Sequence, residues 1–221
     1  CGGRRIRRRA AMTLPLLLVV LPLVTALLIA VAPAGRCRTV LVAGGAGVII
    51  LTALATAQVH FNDSLTRLAH RIDGAEHLLT ALELLLAVLI LWYCARARRL
   101  FPALLLLLQA GLLQAVHVPA ALEHLYIDKL TVIMVQVIGI GGGLICLYAL
   151  GYMRDYHNYN RDVRDRSRLF FALLFIFLAA MFVIVLADTL PWLYLGWEIT
   201  TVCSFLLIGY RDDAESRANA F

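Results

Sequence analysis

The sequence predicts an all-α protein, a polytopic transmembrane helical bundle of about seven spans. Three observations carry that prediction. First, 62% of the 221 residues are hydrophobic and 15% charged, with a mean hydropathy of +0.85, whereas globular domains are nearer half apolar and a quarter charged. Second, several apolar runs reach the ~18–20 residues that a helix needs to cross hydrocarbon. Third, the arginines fall on one side when successive loops are assigned to alternate faces of a membrane. Together these exclude a water-soluble domain with its own core. The net charge of +6 is almost wholly arginine, Lys129 being the only lysine. Such an excess speaks to topology and anionic lipid, not to nucleic acid.

The chain divides into a basic leader (residues 1–11), amino-terminal helices (12–127) and a carboxy-terminal group (128–221). The leader CGGRRIRRRAA carries Arg4–Arg9 ahead of Met12 and reads as untranslated or disordered. Leu14–Val31 is the first span, with Pro22 inside it. Ala32-Pro33-Ala34 would suit signal-peptide cleavage, but the apolar run exceeds the ~7–15 residues of such a segment, which favours a retained helix. Thr39–Ala57 is the second span, and its Gly44, Gly45 and Gly47 permit close approach of another helix. A polar linker over 58–77 follows. Its Leu65, Leu68, Ala69 and Ile72 recur at helical spacing and predict a short helix on the membrane surface.

Leu78–Ala95 is the third span and holds Glu83; Arg96-Ala97-Arg98-Arg99 stops it. Phe101–His117 is the fourth, with Gln109 and Gln114 as polar contacts between helices. Asp128-Lys129 opens the fifth, Leu130–Tyr152, where Gly139 and Gly141-Gly142-Gly143 predict close packing or a local break. The loop Arg154–Arg168 carries five arginines, three aspartates and His157. Its arginines face anionic lipid or an acidic partner, or pair with Asp155, Asp162 and Asp165. Leu169–Ala187 is the sixth span, and Asp188-Thr189-Leu190 turns into the seventh, which ends at Tyr210. The last three spans are expected to form the compact group.

With the residues before Met12 set aside, whose Arg4–Arg9 cluster disagrees with the sorting, seven spans put twelve arginines on one side (Arg36, Arg38, Arg96, Arg98, Arg99, Arg154, Arg161, Arg164, Arg166, Arg168, Arg211, Arg217) and three basic residues on the other (Arg67, Arg71, Lys129). The positive-inside rule then makes the first side cytoplasmic. A multi-pass protein of the inner membrane follows, with its amino terminus outside and its carboxy-terminal end in the cytoplasm.

The seventh span holds the chemistry. Glu198 lies roughly 10 Å in from Pro191 at 1.5 Å per residue. An ionised carboxylate there costs at least ~2.5–3.5 kcal/mol on insertion scales, so it faces protein or water. Tyr194 and Thr201, at i−4 and i+3, share its face and are its expected hydrogen-bond partners. Desolvation favours the neutral acid, and that fits a group loading and releasing a proton near neutrality. The plainer reading is a hydrogen bond that only joins helices. Glu83 and Asp128 are grouped with Tyr194 and Thr201 as supporting residues. No site in the sequence points to a cofactor or a metal. The five cysteines form no CxxC pair, and His70, Asp73 and His77 share a face without fixing a full coordination set.

Several motifs carry a resemblance. Asp128-Lys129-Leu130-Thr131-Val132-Ile133-Met134 is followed by Leu147-Tyr148-Ala149-Leu150-Gly151-Tyr152-Met153, Phe170-Phe171 and Ala187-Asp188. Gly196-Trp197-Glu198 and Cys203-Ser204-Phe205-Leu206-Leu207-Ile208-Gly209 complete the set. Over about Asp128–Phe221 the chain resembles the antiporter-like subunits. These are the proton-translocating membrane subunits shared by respiratory complex I, multisubunit sodium/proton antiporters and energy-converting hydrogenases. The wording WEITTVCSFLLIGY and the extra helical pair Leu78–His117 look most like the Ech and CO-induced hydrogenases.

The resemblance implies that Glu198 is the family's intramembrane glutamate, which pairs with a lysine on a later helix. No lysine follows Lys129, so this chain is expected to be the incomplete amino-terminal part of such a subunit, truncated at 221. It further implies proton or sodium translocation within a redox-driven complex, most closely a hydrogenase. The alternative is a complex I-type NADH dehydrogenase or a sodium/proton antiporter. Iron–sulfur, nickel–iron or flavin groups would lie in partner subunits and none in this chain. A non-transporting structural subunit is the second class. A retinal protein is disfavoured because Lys129 sits at a helix mouth.

Overall fold

A computed structural model describes residues 2–33, 35–60, 66–68, 75–97, 100–115, 125–160, 164–211, 216 and 219. In chain order the elements are α1 (Gly2–Val31), α2 (Arg36–His60), β1 (Thr66–Leu68), α3 (Ala75–Ala97), α4 (Leu100–Ala115) and β2 (Leu125–Ile127). Then come α5 (Lys129–Tyr159), α6 (Ser167–Leu186) and α7 (Leu190–Ile208), which a 3-10 turn over Gly209–Arg211 closes. Among the described residues the all-helical bundle stands, with seven helices and six candidate spans.

Six of the seven are long and apolar enough to cross a membrane: Thr13–Val31 of α1, α2, His77–Arg96 of α3, α5, α6, and Leu190–Arg211. The expected fourth span is the exception. Its described part, Leu100–Ala115, has 16 residues, and the expected end at His117 lies outside the described residues. The loop expected from Arg154 is also shortened, because α5 continues to Tyr159 before the chain turns.

The linker is a second correction. Three of its residues, Thr66–Leu68, form a strand that pairs antiparallel with β2, Thr66 opposite Ile127 and Leu68 opposite Leu125. An isolated surface helix that short lacks the length to offset its nucleation, while Thr, Leu, Tyr and Ile fit a paired strand. The other residues proposed for that helix, Leu65, Ala69 and Ile72, lie outside the described residues, as do His70 and Asp73.

Local rules account for the ends of the later helices. Asp128 has extended backbone and its carboxylate accepts from Thr131 N–H at 2.6 Å, capping α5. That satisfies one of the four orphan donors of a helix start. Pro191 occupies the first turn of α7, where its missing N–H is no loss. Gly35 turns α1 into α2 with φ 107°, a conformation that only glycine adopts without a Cβ clash.

Packing centres on α6, which lies against α1 and α7, while α2 packs against α1 and α5. Phe175 and Phe182 of α6 are fully buried with Leu18 and Ile29 of α1, Val42 and Ile49 of α2, and Val135 of α5. The expected compact group of the last three helices is therefore displaced. The core belongs to α1, α2, α5 and α6, because small residues let these backbones meet. A Cβ on Gly45 would stand 2.5 Å from Thr25, one on Gly143 2.6 Å from Ile50, and one on Gly139 would strike Ala53. Gly139 also lies in a π-helical turn, Val137–Gly141, inside α5. The glycines thus bring both close packing and a local irregularity. On the other flank, α3 packs on α4 and α7.

Candidate functional site

Glu198 lies eight residues into α7, about 12 Å from its start, and is half-buried. Two side chains bond it. The Tyr194 hydroxyl, one turn earlier on the same helix, donates to Oε1. The Gln109 amide of α4 donates to the same Oε1 at 2.8 Å. Glu83 of α3, also half-buried, lies within electrostatic reach of Glu198 and of Tyr194. Three helices thus bring two carboxyls, an amide and a phenol to one level of the bundle.

The helix ladder explains the Tyr194 contact, since i and i+4 side chains stack on one face. The α3–α7 approach is fixed by aromatic packing: Tyr93 meets Phe205 edge-to-face at 5.4 Å and Trp92 at 4.9 Å. Arg96 lies 5.7 Å over the Trp92 ring, a cation–π contact at the helix end. Among the described residues of this hairpin, Cys94 and Leu106 are buried.

Of the proposed supporting residues, Tyr194 hydrogen-bonds Glu198, Glu83 lies within electrostatic reach of it, and two have other partners. The Thr201 hydroxyl donates to the Trp197 carbonyl at 3.0 Å, the i−4 back-bond that competes for hydroxyls inside helices. Asp128 caps α5, and the Thr131 N–H holds its carboxyl below the usual range. Gln109 carries more than the helix contact expected of it. Its partner is 89 residues away, so no local spacing could identify it. The side chain of Gln114 lies outside the described residues.

Two further polar groups sit apart from Glu198. On α2, Thr52, Thr56 and His60 form a buried line at four-residue spacing, and Gln136 of α5 donates to the Ala53 carbonyl beside it at 2.5 Å. At the arginine-rich end, His157 Nε2 meets the Tyr210 hydroxyl at 2.9 Å and Asp165 at 3.4 Å. Asp165 accepts from Ser167 N–H at 2.8 Å and from its hydroxyl at 2.5 Å. Those bonds, with His157 and Arg38 nearby, hold the Asp165 carboxyl below the usual range. Arg154 pairs with Asp155 at 3.5 Å in an exposed position, worth little in water. Among the described residues no three His, Cys, Asp or Glu side chains gather to hold a metal ion.

Comparison with known proteins bears on what such a site belongs to. A family model described as NADH-Ubiquinone oxidoreductase (complex I), chain 5 N-terminus matches residues 122–161. NADH-quinone oxidoreductase subunit L of Escherichia coli is 44% identical over 98 residues, which are 44% of this chain and 15% of that protein. Subunit L of Pseudomonas aeruginosa is 42% identical over 96 residues, 43% of this chain and 14% of the relative. The chloroplastic NAD(P)H-quinone oxidoreductase subunit 5 of Physcomitrium patens is 39% identical over 94 residues, 42% and 12%. The chain spans only about a seventh of the length of the curated relatives it matches. Over part of its length it is therefore similar to the N-terminal region of the antiporter-like complex I subunits. These relatives are quinone oxidoreductase subunits, so the comparison favours the complex I-type alternative and gives the hydrogenase expectation no support.

Proposed function

We propose that this chain is part of a proton-translocating, antiporter-like membrane subunit of a complex I-type quinone oxidoreductase, with Glu198 as its proton-storage group. The observation that carries the reading is a half-buried carboxyl inside a candidate span, bonded by two donors, Tyr194 and Gln109. Partial identity to the subunits L supports the choice of complex. Electron carriers belong to partner subunits on this reading. The arginine-rich end at Arg154 and Tyr210 faces the cytoplasm, by the positive-inside rule.

The working of the site follows from elementary electrostatics. On this reading the charge of Glu83 lies within electrostatic reach of Glu198, so each carboxyl feels whether the other is ionised. A separation change between like charges from 4 to 8 Å alters their interaction by about 2 kcal/mol at an effective dielectric of 20. That exceeds the tenfold change in proton binding that ~1.4 kcal/mol represents. On this reading, movement of α3 against α7 changes how strongly the two carboxyls feel each other.

The test is Glu198→Gln in the intact subunit, assembled with its complex and reconstituted into sealed vesicles. Gln keeps size and hydrogen bonding but does not titrate. The variant is expected to retain assembly and quinone reduction while losing the coupled proton gradient. A full gradient from the Gln variant would make Glu198 a structural contact and the chain a non-transporting membrane subunit. Repeating the assay without sodium separates proton from sodium transport.

A further inference from the structure

We propose that Gln109 is a positioning residue that, with Tyr194, pins one oxygen of Glu198 so that its proton is loaded on the other. This rests on the proton-storage reading above. Both hydrogen bonds converge on Oε1, one from the Tyr194 hydroxyl within α7 and one from the Gln109 amide across from α4. An oxygen that accepts two donors has its lone pairs engaged. The incoming proton therefore goes to Oε2, while Oε1 takes the carbonyl role and keeps both bonds. The carboxyl does not need to rotate between its two protonation states, and the exchange site points in one direction.

The origin of the two donors makes this more than a helix contact. Tyr194 is positioned by its own helix, four residues from Glu198. Gln109 is brought by the α3–α4 hairpin, which lies outside residues 122–161, where the family model matches. The same hairpin supplies Glu83. One pair of helices thus contributes both a neutral donor that holds the Glu198 carboxyl and a second carboxyl within reach of it. Neutral dipoles suit this task. Unlike a cation, they hold the group in place in both its charged and its uncharged form.

Infrared difference spectroscopy of the whole chain in lipid bilayers, between acid and alkaline buffer, tests the assignment. The carbonyl stretch of protonated Glu198 is the band that Glu198→Gln removes. In Gln109→Leu that band is expected at higher wavenumber, because one hydrogen bond to its carbonyl oxygen is gone. Tyr194→Phe, which keeps the ring, should move it the same way. Gln109→Asn withdraws the amide by one methylene and gives the same reading where the leucine variant does not accumulate. A Gln109 that does not hold the carbonyl oxygen of the protonated acid would leave the frequency where it is, and an unmoved band in both Gln109 variants overturns the proposal while leaving proton storage intact. Absence of any Glu198 band in the unaltered chain overturns the proton-storage reading, and this proposal with it.

Discussion

The α1–α2–α5–α6 group and the α3–α4 hairpin are made of the same kinds of residue and packed quite differently. Half of the α6 span is buried inside the bundle, against 6% of the α3 span. In the first group glycines let backbones meet and two phenylalanines fill the middle. In the second, leucines such as Leu84, Leu85 and Leu104 stay exposed, as lipid-facing side chains do. Hydropathy does not separate the two, because lipid tails are as apolar as leucine and helices associate through close packing instead. Glu198 lies at the seam, on a helix that rests on the rigid group and carries the hairpin. On the proton-storage reading proposed above, the carboxyl has one well-packed wall and one sparsely packed wall.

The largest test of this contrast is in the core. Phe182→Ala is expected to destabilise the protein by about 3–5 kcal/mol, whereas Leu85→Ala in α3 should stay within about 0.5 kcal/mol. Thermal unfolding in mild detergent reads both, and equal shifts would erase the distinction. Gly139→Ala comes next. Its Cβ would collide with Ala53 across the α2–α5 contact, and overpacking of this kind costs about 1–3 kcal/mol. Pairing it with Ala53→Gly should restore much of the loss. A pair no better than the single variant would mean that the π turn, not the close approach, sets the demand for glycine.

Smaller effects sharpen the boundary of the rigid group. Asp128→Ala removes the cap of α5 and should cost about 1 kcal/mol, with Asp128→Asn or Asp128→Ser recovering most of it in the same melt. At the arginine-rich end, Asp165 is held below the usual carboxylate range. A depressed folded-state value contributes stability above the unfolded value, lost as pH falls through the folded one. The melting temperature should therefore drop on acidification below about pH 4, and Asp165→Asn should flatten part of that drop. The effect is small, since the Asp165 side chain is 56% exposed and solvent screens it. An identical acid profile in the Asn variant would remove His157–Asp165–Tyr210 from the account of how these helix ends are joined.

What the sequence made legible was local. Apolar run length found the helices, Pro191 the start of α7, and the four-residue step from Tyr194 to Glu198 one of the site's bonds. What it hid was distant. Gln109 could be marked as a polar residue in an apolar helix, but only the fold brings it to Glu198. Leu68 and Leu125 carry no sign of each other until they pair, so a strand passed for the middle of a helix. Strong hydropathy and motif density after Asp128 point to the last helices as the compact group, but neither reports packing density. Cores follow small residues and shape instead, as Gly45 against Thr25 and Gly143 against Ile50 illustrate.

The β1–β2 ladder has one more consequence. Leu68 and Leu125 are directly opposed, so everything from residue 69 to 124 leaves the chain and returns to it at one doorway, about 5 Å wide between α-carbons. Topologically the intervening segment is a parenthesis. Closing it with a two-residue Asn-Gly turn would convert the ladder into an ordinary hairpin and leave the route through α1, α2, α5, α6 and α7 unchanged. A lineage could acquire or discard such a segment in a single step without rethreading the protein, and with it the amide that bonds Glu198 and the second carboxyl near it. The chemistry of the site would then evolve by splicing at its rim, while the helix that bears the acid stayed where it was.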